Sequence, residues 1–319
     1  MLEYLRLVRF SHTLFALPFA LLGALMAVGT NLYETPAVLP RIVDFAGVLL
    51  CMVFARSTAM AFNRIVDRKF DARNPRTVSR HLPSGRLSVW NVTVFTVICA
   101  VGFVVSTLLF LPNVIPIIFA VPVLAFLCGY SFAKRFTWCS HLWLGLSLGL
   151  SPFAAWVVFR SELIPVPLPP LLLCLAVMFW TAAFDIIYAF QDKEVDIREN
   201  LYSIPRVFRT YAAWRLVVLF HVLMIACLLF IPQTFPLFGN IWYFGVAIVA
   251  LILAGEHWTV VPHEIFIRPF LFWGRHLDND INWRGEPEID LRRIDVAFFK
   301  LNAIVSSGMM VVGILDLVW

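Results

Sequence analysis

The chain has 319 residues, of which 61% are apolar, with a mean hydropathy of +0.85 and a formal net charge of +5. Soluble domains are about 45–50% apolar, so this composition excludes a soluble globular protein and predicts an all-α, polytopic membrane bundle. The positive balance is no nucleic-acid signature, because the basic residues fall in loops between apolar runs, where membrane orientation accounts for them.

Runs long enough to cross a bilayer lie near 14–32, 44–62, 89–111, 114–133, 140–159, 170–190, 215–232, 241–261 and 297–318, nine in all. The first is read as a retained helix, not a cleaved signal, because further spans follow and no clear small-residue cleavage site appears. Twenty-two of the 25 Lys and Arg residues fall in alternate connections, on the side of the N-terminus. Only Arg41 and Arg160 fall on the other side, and Arg56 lies inside a span. The bias predicts a cytoplasmic N-terminus and an outward C-terminus. Trp90, Trp138, Trp214 and Trp258 near span ends fit an interfacial aromatic belt. The six cysteines contain no CxxC pair, and most sit in apolar spans as packing residues. Residues 262–296 read as a solvated or interfacial loop; DNDINWRG lacks the glycine of a calcium loop, with Trp283 in its place. The whole of 1–319 is read as one transmembrane domain.

Chemistry concentrates at the cytoplasmic ends of the second and sixth spans. Asn63, Asp67 and Asp71 are spaced by four and share one helix face, since such residues lie about 40° apart around the axis. Neighbouring acids repel, so this spacing implies a cation between them. Arg64, Arg68, Arg73, Arg76, Arg80 and Arg86 follow at once. Carboxylates that hold a hard cation, edged with guanidinium, suit a magnesium diphosphate. After the sixth span Asp185, Tyr188, Asp192 and Asp196 again share one helical face. Four helices separate the two motifs, so both reach the same membrane surface. A substrate that joins them is anionic at one end and resident in lipid, which describes a polyprenyl diphosphate. Arg56 lies two turns deeper than Asn63 on the same face and needs a partner at that depth. It is placed on the carboxylate of an acceptor or in an ion pair with Asp185. Arg9 and His12 are candidates for the same mouth.

These motifs resemble a known family. Asn63-x3-Asp67-x3-Asp71, then Arg76-Thr77 and Leu82-Pro83-Ser84-Gly85-Arg86, with Tyr130-x3-Lys134 and Asp185-x2-Tyr188-x3-Asp192-x3-Asp196, are similar to the UbiA superfamily of intramembrane aromatic prenyltransferases. The resemblance covers nearly the whole chain. It departs at Arg64, where many members carry Asp. It implies Mg2+-dependent transfer of a polyprenyl group from its diphosphate to an aromatic hydroxy acid of the 4-hydroxybenzoate type, in quinone biosynthesis at the bacterial inner membrane. A hydroxynaphthoate acceptor in the futalosine route to menaquinone is the alternative, and NRIVDRKFDARNPRT with HLPSGR is similar to that branch.

On this reading Asp67, Asp71, Asp192 and Asp196 hold magnesium, with Asn63 as a neutral ligand. Lys134 with Tyr130, and Arg68, Arg76 and Arg80, bind diphosphate. Asp185 takes the phenolic proton, Tyr188 orients it, and Arg56 serves the acceptor. No protein partner is expected. An ion-coupled transporter, the rival from another class, predicts polar residues deep in several spans; here only Arg56 and Asp185 lie deep.

Overall fold

The structure is a computed structural model, and it describes residues 2–8, 13–33, 39–260 and 301–319. The described elements are all helical: α1 (Leu2–Leu7), α2 (Thr13–Tyr33), α3 (Ile42–Arg73), α4 (Val89–Thr107), α5 (Ile115–Ala133), α6 (Ser140–Arg160), α7 (Leu168–Ala189), α8 (Lys193–Arg198), α9 (Ile204–Val207), α10 (Thr210–Thr234), α11 (Asn240–Val260) and α12 (Asn302–Val318). Eight of them are long and apolar enough to cross a membrane. The ninth expected span corresponds to α12, a shorter apolar helix of 17 residues. The loop 262–296, Arg9 and His12 lie outside the described residues.

Helix ends follow local chemistry. α3 continues eleven residues past its expected apolar limit at residue 62, to Arg73, because Pro75 ends it. A residue before proline is driven out of the helical region, and Asn74 is extended at φ −96°, ψ 118°. Ser88 caps α4 by accepting from the Asn91 N–H at 3.1 Å.

The main core joins α2, α6, α7, α10, α11 and α12 around the buried Trp180 and Trp242. Each indole N–H is satisfied, Trp180 by Asn302 Oδ1 at 2.9 Å and Trp242 by the Leu228 carbonyl at 2.8 Å. On α4 and α5, Val97, Ile98, Val101, Ile118 and Val121 are exposed, as expected of a face that meets lipid tails. Trp214 departs from the expected belt. On α10, it is buried against α7 and α11, edge-on to the His257 ring with centroids 5.1 Å apart.

α6 and α7 pack at very short range. A Cβ on Gly145 would strike the Met178 carbonyl, and one on Gly149 the Cys174 carbonyl. Spaced by four, these glycines put a small-residue stripe on the face of α6 that meets α7. Backbone cannot swing aside as a side chain can. Gly149→Ala is therefore expected to cost about 1–3 kcal/mol of stability. Gly308→Ala, where a Cβ meets nothing within 4 Å, should cost none. Thermal unfolding of both variants in detergent checks the difference.

Candidate active site

Three helix ends converge on a polar cavity of about 220 Å³. The end of α3 with the turn after it contributes Asn63, Arg64, Asp67, Asp71, Asn74, Arg76 and Arg80. The opposite wall, α7 into α8, contributes Asp185, Tyr188, Asp192 and Asp196, and the end of α5 contributes Tyr130, Ser131 and Lys134.

The turn after Pro75 folds the arginines back. Asn74 Oδ1 accepts from the Arg76 N–H at 2.9 Å, and Thr77 Oγ1 donates to the Asp71 carbonyl at 3.0 Å. Arg80 thereby reaches Asp71 at 2.7 Å. Arg76 crosses to the other wall and grips Asp192 with two N–H groups, Nε at 3.0 Å and Nη2. Its Nη1 donates to the Tyr188 hydroxyl at 2.6 Å, and its guanidinium lies 4.9 Å from the Tyr188 ring centroid. Asn74 Nδ2 donates to the same Asp192 at 2.9 Å. Lys134 Nζ sits 3.6 Å from Asp196, and its carbonyl accepts from the Tyr202 N–H at 2.6 Å, which ties the loop after α8 to α5.

Charge is shared across the cavity. Burial disfavours the Lys134 ammonium, but Asp196, Asp185, Asp192 and Asp67 outweigh burial and raise its pKa above the ordinary lysine value. Burial likewise opposes the Arg76 charge and is outweighed by the hydrogen bond and charge of Asp192, then by Tyr188.

Most of the expected residues meet here, with three corrections. Arg68 is exposed, bonds the Ile65 carbonyl at 3.3 Å and does not line the cavity. The expected continuous helix from Asp185 to Asp196 is broken by a 3-10 turn, Phe190–Asp192. The tighter turn keeps Phe190 in the core while Asp192 meets Arg76 and Asn74. The Arg56–Asp185 pair, one of the two roles expected for Arg56, does not form; Asp185 is bonded to His141 at 2.7 Å.

Sequence reasoning passed over Asn74, Arg135 and His141. Arg135 lies 3.4 Å from Asp67. The Asn-Pro step after α3 was a readable signal for Asn74. The other two side chains reach the site only through tertiary packing.

A second cavity of about 280 Å³ adjoins the first and shares Asn63, Arg64, Arg80, Tyr130, Asp185 and Tyr188 with it. Its walls are largely apolar, with Met52, Met60, Leu127, Leu144, Leu148 and Phe184. Arg56 lines this chamber, and its buried Nε has no hydrogen-bond partner.

The donor set fits a divalent metal. Asp71 Oδ2 is buried without a hydrogen bond, and Asp196 Oδ2 is likewise buried with only the Lys134 ammonium at 3.6 Å, an arrangement that a metal cation would complete. Among the described residues no three carboxylates, histidines or cysteines converge on one point. An ion here would bind one or two carboxylates and complete its shell with water and phosphate oxygens, as magnesium commonly does.

The sequence profile of the UbiA prenyltransferase family matches residues 16–264. The 4-hydroxybenzoate octaprenyltransferase of Psychrobacter arcticus is 31% identical over 80% of this chain and 84% of its own length. That of Marinobacter nauticus is 28% identical over 67% and 70%. The UbiA homologue from Aeropyrum pernix K1, solved in its apo form, superposes with a TM-score of 0.72 at 23% identity, covering 96% of this chain and 97% of that one. The homologue from Archaeoglobus fulgidus, solved with GPP and Mg2+, gives 0.61 at 16% identity, covering 99% and 100%. The chain belongs to the UbiA prenyltransferase family, and with it to the membrane-bound aromatic prenyltransferases.

Proposed function

We propose that this enzyme transfers a polyprenyl group from a polyprenyl diphosphate to a ring carbon of an aromatic hydroxy acid of the 4-hydroxybenzoate type. The observation that carries the proposal is the junction of the two cavities. A polar chamber fit for diphosphate opens into an apolar one, with Asp185 and Tyr188 on the boundary and Arg56 inside.

Asp67, Asp71, Asp192 and Asp196, with Asn63, would hold Mg2+, whose chemistry there would be to neutralise charge growing on the departing diphosphate. The polar chamber is lined by five carboxylates and five cations (Arg64, Arg76, Arg80, Lys134 and Arg135), so its side chains alone offer a diphosphate no net attraction. That balance supports a metal-dependent reaction. As the donor binds, Arg76 and Arg80 exchange carboxylate for phosphate oxygens, and Lys134 adds a point charge. Tyr130 stands beside Lys134 at the boundary of the two chambers.

The C1–O bond of the donor breaks and its electron pair leaves with diphosphate. The ring carbon ortho to the hydroxyl bonds to C1, while Asp185 takes the phenolic proton. The resulting dienone loses its ring hydrogen as a proton, and Asp185 returns the phenolic proton to the ring oxygen, so the phenol is recovered and one proton is released per bond formed. Arg56 pairs with the acceptor's carboxylate and fixes which end of the ring enters. The charge bias of the loops supports a site at the cytoplasmic face of a bacterial inner membrane.

Purified enzyme in lipid, given Mg2+, a polyprenyl diphosphate and a panel of acids, tests the acceptor. Product from 4-hydroxybenzoate with its carboxyl intact is expected. Product from hydroxynaphthoates alone reassigns the acceptor to the menaquinone route.

A further inference from the structure

His141 lies in the first turn of α6, fully buried, and has no part in holding metal or diphosphate in the scheme above. Both its ring nitrogens are engaged. Nε2 is 3.3 Å from the Ile204 backbone N, which can only donate. Nε2 therefore accepts and carries no hydrogen, so the hydrogen of a neutral ring sits on Nδ1. Nδ1 is 2.7 Å from Asp185 Oδ2 and donates to it. Asp185 lines both chambers, and its Oδ1 has no hydrogen bond to the described residues.

Building on the aromatic-acceptor reading, we propose that His141 is the positioning residue for Asp185: it occupies Oδ2, holds the carboxylate plane and leaves Oδ1 directed to the acceptor's phenol. The tautomer is fixed from outside the site, by the backbone of α9. α9 packs with α7 and α10 around Ile204, which is itself fully buried. A carboxylate on an apolar chamber wall has few donors to define its rotamer, and one fixed N–H supplies that definition. His141 does not relay a proton through its ring, since the Ile204 N–H occupies its second nitrogen.

The test compares His141→Leu, which loses the donor, with His141→Asn, whose Nδ2 keeps a donor near the position of Nδ1. Each is assayed with Mg2+, a polyprenyl diphosphate and two acceptors. One acceptor is 4-hydroxybenzoate. The other is a ring-fluorinated analogue with one free ortho carbon, whose phenol ionises more readily unaided. With 4-hydroxybenzoate, His141→Leu should lower kcat by about 10–100-fold with the donor KM unchanged, the scale of losing an orienting partner. His141→Asn should recover most of that loss. With the acidic analogue, the His141→Leu defect should shrink to within about threefold of wild type, because the base matters less. An equal defect with both acceptors overturns the proposal, as does an Asn variant that is no better than Leu or fails to fold. If wild type prenylates no aromatic acid at all, the functional reading fails and this inference falls with it, a result distinct from an active wild type with indifferent variants.

Discussion

Asp67→Ala and Asp192→Ala are each expected to lower kcat by about a thousandfold or more, the scale of removing a main stabiliser of leaving-group charge. The two acids stand on opposite walls, Asp67 on α3 and Asp192 at the 3-10 turn after α7. If magnesium and diphosphate span the gap, either loss breaks the same bridge, and the double variant should be little worse than either single one. Independent surface acids would lose activity additively or not at all. The two variants should still differ in binding. Asp192→Ala releases Arg76, which keeps its contact with Tyr188 and stays available to phosphate, so donor affinity is retained while turnover collapses. Asp67→Ala instead leaves Asn63 Nδ2 without its 2.7 Å acceptor and Arg135 without its acid. Titration of Mg2+ against turnover in each variant reads this out, and a near-normal rate in either refutes the two-walled site.

Arg56→Leu is expected to raise the acceptor KM by about 10–100-fold while the donor KM holds, as for one charge-assisted hydrogen bond of roughly 1.5–3 kcal/mol. A charged residue in the middle of a span costs about 2.5–3.5 kcal/mol unless it is paired. Arg56 has no ion pair among the described residues, and its Nε is buried without a partner. Its replacement by Leu should therefore leave thermal stability unchanged or raised. A role in structural pairing would do the opposite, lowering stability and raising both KM values together. Arg56→Lys should restore part of the acceptor affinity, since the charge returns without the planar fork. Phenols that lack the carboxyl should bind Arg56→Leu and wild type alike.

How much of this was readable beforehand depended on whether the information was local. Apart from the far end of α3, hydropathy placed the described spans within a few residues, since burial in lipid acts on each helix alone. The acid motifs were legible because a spacing of four has one geometric meaning on a helix. Which arginine enters the site was not. Arg68 and Arg76 look equivalent in a basic run, but Arg68 is still on α3 and points away, whereas the break at Pro75 turns Arg76 inward. The 3-10 turn at Phe190–Asp192 has neither Gly nor Pro to announce it and answers to contacts with other helices. Trp214 has the composition of a belt residue and the environment of a core residue, decided by its neighbours on α7 and α11. His141 meets Asp185 44 positions away, and only the packing of α6 on α7 brings them together.

The central claim is that two acidic walls and an apolar chamber act as one Mg2+-dependent prenyl-transfer site. Its most direct test is a mass balance on the purified protein in lipid, given polyprenyl diphosphate and 4-hydroxybenzoate, with and without chelator. The account predicts one prenylated acid, carboxyl retained, for each diphosphate released, and neither product once the metal is removed. Diphosphate released without prenylated acid, or transfer undiminished by chelation, would contradict it.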